Sequence, residues 1–267
     1  MLQLSQVEAR AMSPKELRSI IRKGWTGITH NTCQGYGQAD MVVVPKEYAF
    51  DFLLFCNRNP RPCPVLDVTE PGDLHFKRMA PEADLRTDIP KYRVFKNGEL
   101  IEEPSDIVKY WRDDMVGFIF GCSASWRWSL RAANISWRRY GAYRTTIPCV
   151  PAGRFHGPMV VNFLAFKNSH DAVRAVQISS RHPLFHGPPV HIGDPADIGV
   201  KNLGIPDPSI PYQIAAEPPK PAEIVMGWAC GITAQIAAVE SKIPFMITHC
   251  PGRMFVMDRL AEELAVI

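Results

Sequence analysis

The chain reads as an α/β protein, a mixed, largely parallel sheet domain carrying an inserted smaller α+β domain. Three observations predict this. Strand-sized apolar runs recur at Met41–Val44, Met115–Phe120 and Glu223–Trp228. Two of them run directly into small-residue turns, Gly121-Cys122-Ser123 and Cys230-Gly231, and then into helical patterns. Strand, small turn, helix is the grammar of sheets with parallel strands. Between these units, Tyr143–Ile210 is extended and dense in Gly and Pro. The expected division is residues 1–140 as the first part of the α/β domain, 141–212 as the insert, and 213–267 as the second part.

The first clear element is a helix entered at Ser13, where Pro14 suits the first turn and Glu16 completes a capping box. Leu17, Ile20 and Ile21 form its apolar stripe and Gly24 is placed to end it. A Gly-, Thr- and Asn-rich loop over Thr26–Gly37 precedes the Met41–Val44 strand, which Pro45 ends, and a helix is expected from Lys46 to Arg58. Residues Arg61–Lys91, rich in proline and charge, read as surface loops. Asn97-Gly98 marks a hairpin between Tyr92–Phe95 and Leu100-Ile101. A helix following Ser123 is expected to reach Ala133. Extended segments near Arg144–Val150 and Met159–Phe166 lead to a helix over Ser169–Ser179. After the Glu223–Trp228 strand, a helix over Thr233–Ser241 and a strand over Pro244–Thr248 close the pattern.

A length of 267 residues can bury one large core or two modest ones. Thirty basic against 27 acidic residues leave a net charge of +3, and the arginines are dispersed, so no nucleic-acid partner is expected. The densest basic group, Arg127, Arg131, Arg138 and Arg139, lies beside tryptophans and reads as the solvated side of a helix. No apolar run is long enough for a membrane span, and the N-terminus, with Glu8 and Arg10, has no signal-peptide core. Seven cysteines without a C-x-x-C pair fit free thiols in the cytoplasm. A homodimer is the expected assembly.

Three strand ends carry small or reactive residues: Gly121-Cys122-Ser123, Cys230-Gly231-Ile232-Thr233 and Thr248-His249-Cys250. In open α/β sheets ligands gather beyond such ends, where glycine admits backbone N–H groups and helix N-termini favour anions. Ser123 and Thr233 are candidates to bind a carboxylate; the alternative is that they simply cap helices. Cys122 and Cys230 are the candidate reactive thiols, with inert burial as the competing reading. His182, His186 and His191 sit among prolines with no H-E-x-x-H, so no metal is expected. His186 and His249 are the candidate acid–base groups, against a structural role for each. In Asp84-Leu85-Arg86-Thr87-Asp88, an arginine between carboxylates suits either a substrate clamp or a surface ion-pair knot. No Walker A, G-x-G-x-x-G or G-x-S-x-G motif is present, and no cofactor is expected.

Taken together, these blocks resemble the bacterial hydro-lyase family related to D-glutamate cyclase. The resemblance rests on Gly35-Tyr36 with Gln38-Ala39, Arg58-Asn59-Pro60, Asp84–Pro90, Gly121-Cys122-Ser123, Tyr143-Arg144-Thr145 and Ser180-Arg181. It continues through His186-Gly187, Trp228–Thr233 and Ile247-Thr248-His249, in family order from about residue 13 to the C-terminus. It implies a two-part α/β plus α+β architecture and loss of water from a small carboxylate, with lactam formation from D-glutamate as the related reaction. By motif position, Arg86, Asp88, Gly121, Ser123, Tyr143, Arg144, Arg181, Gly231, Thr233 and Thr248 are candidate substrate contacts, and His186, His249, Cys122 and Cys230 candidate catalytic groups. The chain departs from the family pattern at Arg127, where a glutamate is expected, and at Phe163-Leu164, where Met-Arg is expected. The rival reading is a non-catalytic protein that binds a carboxylate metabolite. A weaker third is a cysteine-dependent acyl-transfer enzyme.

Overall fold

Two helices open the computed structural model, which describes residues 4–210, 213 and 216–266. These are α1 (Gln6–Ala11) and α2 (Pro14–Arg22), and each starts with a complete capping box, Ser5 with Glu8 and Ser13 with Glu16. The strand β1 (Tyr36–Pro45) follows, longer than the Met41–Val44 run alone suggests. After it come α3 (Lys46–Arg58), β2 (Val65–Val68), the hairpin β3 (Tyr92–Lys96) and β4 (Glu99–Glu102), and β5 (Met115–Gly121). Asn97 and Gly98 both take positive φ, +50° and +82°, as a two-residue hairpin turn requires.

Beyond β5 the helix α4 spans only Arg127–Ala132, because residues 123–126 form a turn. Then come β6 (Arg138–Pro148), β7 (Pro158–Phe166), α5 (Ser169–Ser180), β8 (His191–Ile192), β9 (Ile224–Ala229), α6 (Ile232–Glu240), β10 (Met246–His249) and β11 (Phe255–Leu260).

Among the described residues the strands form two sheets. The first has seven strands in the order β2-β5-β1-β10-β3-β4, with β11 also pairing β1; the second has the order β6-β7-β9-β8. Every pairing is antiparallel. The expectation of a largely parallel sheet is therefore wrong, and the connectivity explains why. The two strand–turn–helix units do not cross over within one sheet. β5 and α4 lead out of the first sheet into β6 of the second, and β9 and α6 lead back from the second into β10 of the first. The second sheet takes in β9 from beyond residue 212, and the expected boundary at 212 itself falls outside the described residues.

β1 is buried along nearly its whole length, as a strand covered on both faces should be. Its alternation sends Ala39, Met41 and Val43 into one apolar cluster and Val42 and Val44 into another, beneath α3 and α6. The first cluster also takes Leu164, Phe166, Met226 and Trp228 from the second sheet. Trp228 lies 6.1 Å from Phe166 of its own sheet and 5.6 Å from Trp126, ring centre to ring centre, so it packs the second sheet against the turn that follows β5. Among the described residues, no helix is long and apolar enough to cross a membrane, and the seven cysteines are free thiols.

At the edge of this body Asp88 is fully buried and takes a two-pronged contact from Arg22, at 2.5 and 2.6 Å, plus the Asp84 N–H at 2.8 Å. Arg18, also buried, stands 3.8 Å from it and pairs with Asp258 of β11. Without the Asp88 carboxylate the Asp84 N–H loses its acceptor and Arg22 its partner, while Arg22 is half exposed and Arg18 keeps Asp258. Asp88→Ala should lower unfolding stability by about 1–3 kcal/mol, read by urea titration.

Candidate functional site

The site begins with a break in a strand ladder. One edge of β1 is fully paired with β5, from Ala39 to Pro45. The other edge is shared: β11 pairs up to Ala39, and β10 pairs at Val42 and Val43. Residues 40 and 41 fall in the gap between them. A buried N–H there needs an acceptor, and Met41 N–H donates to Nδ1 of His249, the last residue of β10, at 3.0 Å. Gln235 of α6 also places its side-chain nitrogen 3.1 Å from Nδ1. With Nδ1 accepting, the ring proton stands on Nε2, which donates to Asp40 Oδ1 at 2.9 Å. Asp40 and His249 are both buried, and Asp40 Oδ2 has no hydrogen-bond partner among the described residues.

A second histidine is held the opposite way. His186 Nδ1 lies 2.8 Å from the Arg61 carbonyl, so it carries the proton and Nε2 keeps the lone pair. Arg61 also donates to the Pro188 carbonyl, while Trp126 Nε1 donates to the Phe185 carbonyl at 3.0 Å. Thus anchored, His186 sits at φ +76°, an unfavourable conformation for a residue with a side chain. Burial pushes its pKa below the usual histidine value, so it is neutral at pH 7.

Both rings line a cavity of about 400 Å³ where the two sheets meet. Asp40, Cys122 and His249 come from the first sheet and its turns, Ala142 and Asn162 from the second. Arg127 of α4 and Arg139 of β6 supply positive charge. Arg127 donates to Ser123 Oγ at 3.0 Å, and its Nε is buried without a partner among the described residues. Burial, with the repulsion of Arg139 next, lowers its pKa to about 10, so it remains a cation at neutral pH. Cys122 and Cys230 also line the cavity. Burial and the Asp40 charge raise both thiols, Cys230 to about 12, which keeps them protonated.

The cavity wall thus brings together His186, His249, Cys122, Cys230 and Ser123 from the sequence-predicted set. Gly231 adjoins it: a Cβ there would collide with the Asp40 carboxylate. Gly121 lies under the Leu184 carbonyl, with no room for a side chain. The other predicted contacts lie outside the wall, each with its polar atoms engaged. Arg86 pairs with Asp84, Asp88 with Arg22, Arg144 with Glu240, and Arg181 with Glu262. Tyr143 donates to the Leu203 carbonyl and Thr248 to the His249 carbonyl. Thr233 donates to the Cys230 carbonyl and accepts from Val160 N–H, tying α6 to β7.

Sequence reasoning missed Asp40, Arg139, Asn162, His30, Gln213 and Gln235. Asp40 had a visible signal, a lone acid entering a β-branched run. At the two departures from the family pattern, Arg127 lines the cavity while Leu164 is buried in the core. Arg139 stands opposite Leu164 in the β6–β7 ladder, so a guanidinium is carried on the neighbouring strand.

Cationic side chains, a neutral imidazole with a free lone pair and a carboxylate-bound imidazole thus share one cavity wall. The D-glutamate cyclase family profile matches residues 116–258. A Geobacillus kaustophilus protein named "Putative hydro-lyase" is 50% identical over 266 residues, covering 97% of this chain and 99% of that one. Relatives of the same name from Bacillus subtilis and Stutzerimonas stutzeri are 47% and 45% identical, over 96% and 97% of this chain and 100% and 98% of theirs. The chain belongs to the D-glutamate cyclase family. Among solved structures, a nitrogen repressor-like protein from Methanococcus jannaschii aligns over 94% of this chain and 99% of its own. Its TM-score of 0.40 and 7% identity make it too distant to inform the site.

Gly231 has an ordinary helical φ of −61°, so alanine is tolerated by the backbone and acts only through its contact with Asp40. Gly231→Ala should displace Asp40 from His249 and reduce turnover about 10²-fold, as roughly 1 Å misplacements do. Steady-state kinetics, with circular dichroism to confirm folding, checks this.

Proposed function

We propose that this cavity binds a small carboxylate and eliminates water from it, in the cyclising case by joining an amine to the substrate's own side-chain carboxyl. The observation that carries this reading is the pair of oppositely protonated imidazoles, Nε2 of His186 with a lone pair and Nε2 of His249 with an N–H, beside Arg127 and Arg139, which make no ion pair among the described residues. Lactam formation moves two protons from nitrogen to the departing oxygen. The site must therefore accept protons on one side and return them on the other. In this reading His186 Nε2 and the open Oδ2 of Asp40 each take one proton from the substrate ammonium and return it to the departing oxygen, which leaves as water. Arg127 and Arg139 hold a carboxylate, and His249 Nε2–H steadies the Asp40 charge. Asn162, whose Oδ1 is buried and unpartnered among the described residues, offers an acceptor for a substrate N–H. The raised thiols of Cys122 and Cys230 favour this over cysteine-dependent acyl transfer.

Incubation with D- and L-glutamate and small hydroxy acids, with product detection by mass spectrometry, tests the reading. At least one acid should yield a product lighter by one water; binding without product across the panel would overturn it. Asparagine tolerates positive φ better than most residues, so His186→Asn removes the base while keeping the loop. It should lower kcat by about 10²–10⁴-fold.

The pH profile follows from the signs of the shifts. The His186 pKa lies below its ordinary 6.5, so kcat/KM should be flat at neutral pH and fall only as acid protonates Nε2. On the alkaline side, KM should rise as pH passes about 10 and Arg127 loses its proton. An acid limb centred above the ordinary histidine value would contradict the assignment of His186.

A further inference from the structure

A second pocket, of about 250 Å³, adjoins the first and shares Ile28, His30, Arg127 and Arg139 with it. Its own walls add Trp128, Arg131 and Trp137, and no carboxylate lines it. We propose that this pocket is a subsite for an additional oxyanion, a phosphate or a carboxylate, on a substrate longer than a single small acid. The proposal rests on the reading of the main cavity as a carboxylate site.

Charge is the first argument. Arg127, Arg131 and Arg139 make no ion pair among the described residues, nor does Arg10 behind them. Arg139 and Arg131 both repel Arg127, and Arg10 repels Arg131. His30, between the two pockets, is kept neutral by burial and by Arg139 and Arg127. One carboxylate in the main cavity compensates one of these charges and leaves the rest. Like charges gathered at one concavity repel one another, and a bound anion would relieve that repulsion.

Hydrogen-bonding capacity is the second. Trp128 Nε1 and Arg127 Nε are both buried donors without a partner among the described residues. An oxyanion offers several acceptors at once. Preorganisation is the third. The Arg131 guanidinium lies 4.9 Å from the Trp128 ring and 5.6 Å from the Trp137 ring, and Arg10 lies 5.8 Å from Trp128. Stacking on indoles fixes a guanidinium's plane before any ligand arrives. The cations converge on one small concavity instead of tracking along a groove, which suits a single oxyanion better than a polynucleotide backbone.

Calorimetry on the full chain with matched pairs tests this, using serine against O-phosphoserine and butyrate against glutarate. In at least one pair the member with the extra oxyanion should bind about tenfold tighter or more, as a charge-assisted contact implies. The pair that shows it tells phosphate from carboxylate. Arg131→Gln should bring that ratio to about one, and Arg131→Lys, which keeps charge without the stacked fork, should give an intermediate ratio. Equal affinities within both pairs, or a preference that survives Arg131→Gln, would overturn the subsite while leaving the elimination reading to its own turnover assay. An Arg131-dependent preference with no acid dehydrated would keep the subsite and overturn elimination. No binding by any acid would overturn both.

Discussion

The hydrogen bond from Met41 N–H to His249 Nδ1 is the interaction on which the site depends. It exists because two strands, β10 and β11, divide one edge of β1 and leave a backbone donor between them. In a continuous ladder that N–H would face a carbonyl. Here a side chain replaces the missing strand, and the replacement dictates which ring nitrogen carries the proton. The Arg61 carbonyl does the converse for His186. Two backbone groups of opposite character thus set two imidazoles in opposite tautomers.

The cavity inherits its chemistry from the junction of the sheets. Helix α6 leaves the second sheet and enters the first, and it is buried on nearly every side. Its Gln235 reaches His249, its Thr233 bonds β7, and the glycine before it admits Asp40. Trp228 of the second sheet packs on Trp126, in the turn that follows β5 of the first. Close packing of this kind transmits small displacements, so substitutions in the core behind the cavity should be felt at the dyad. Toward solvent the same junction gathers Arg127, Arg131 and Arg139, which make no ion pair among the described residues. Arg131 and Arg139 are exposed, so solvent screens part of their repulsion, and a bound anion would relieve the remainder.

Local structure was largely legible in the sequence, and sheet direction was not. The capping box at Ser13, helix α3 and the Asn97-Gly98 hairpin each follow from residue types a few positions apart. The parallel expectation failed because strand–turn–helix units specify a reversal through a helix, and not which sheet receives the next strand. β11 escaped notice because its later residues, Asp258 and Arg259, look like surface chain; Asp258 is in fact the partner of Arg18. In the site, the small-residue turns led to His249, Cys122 and Cys230, all on the cavity wall. Asp40 and Arg139 were missed because their significance is tertiary: one lies in a ladder gap, the other opposite Leu164 on the next strand. Arg86 and Arg144 carried plausible local patterns, yet their guanidiniums are matched with Asp84 and Glu240.

The most direct test is nitrogen NMR on histidine-labelled protein, read with and without an acid that binds. His249 should be protonated on Nε2 and His186 on Nδ1, with both rings shifting when the acid enters. Reversed tautomers, or rings indifferent to the ligand, would contradict these assignments.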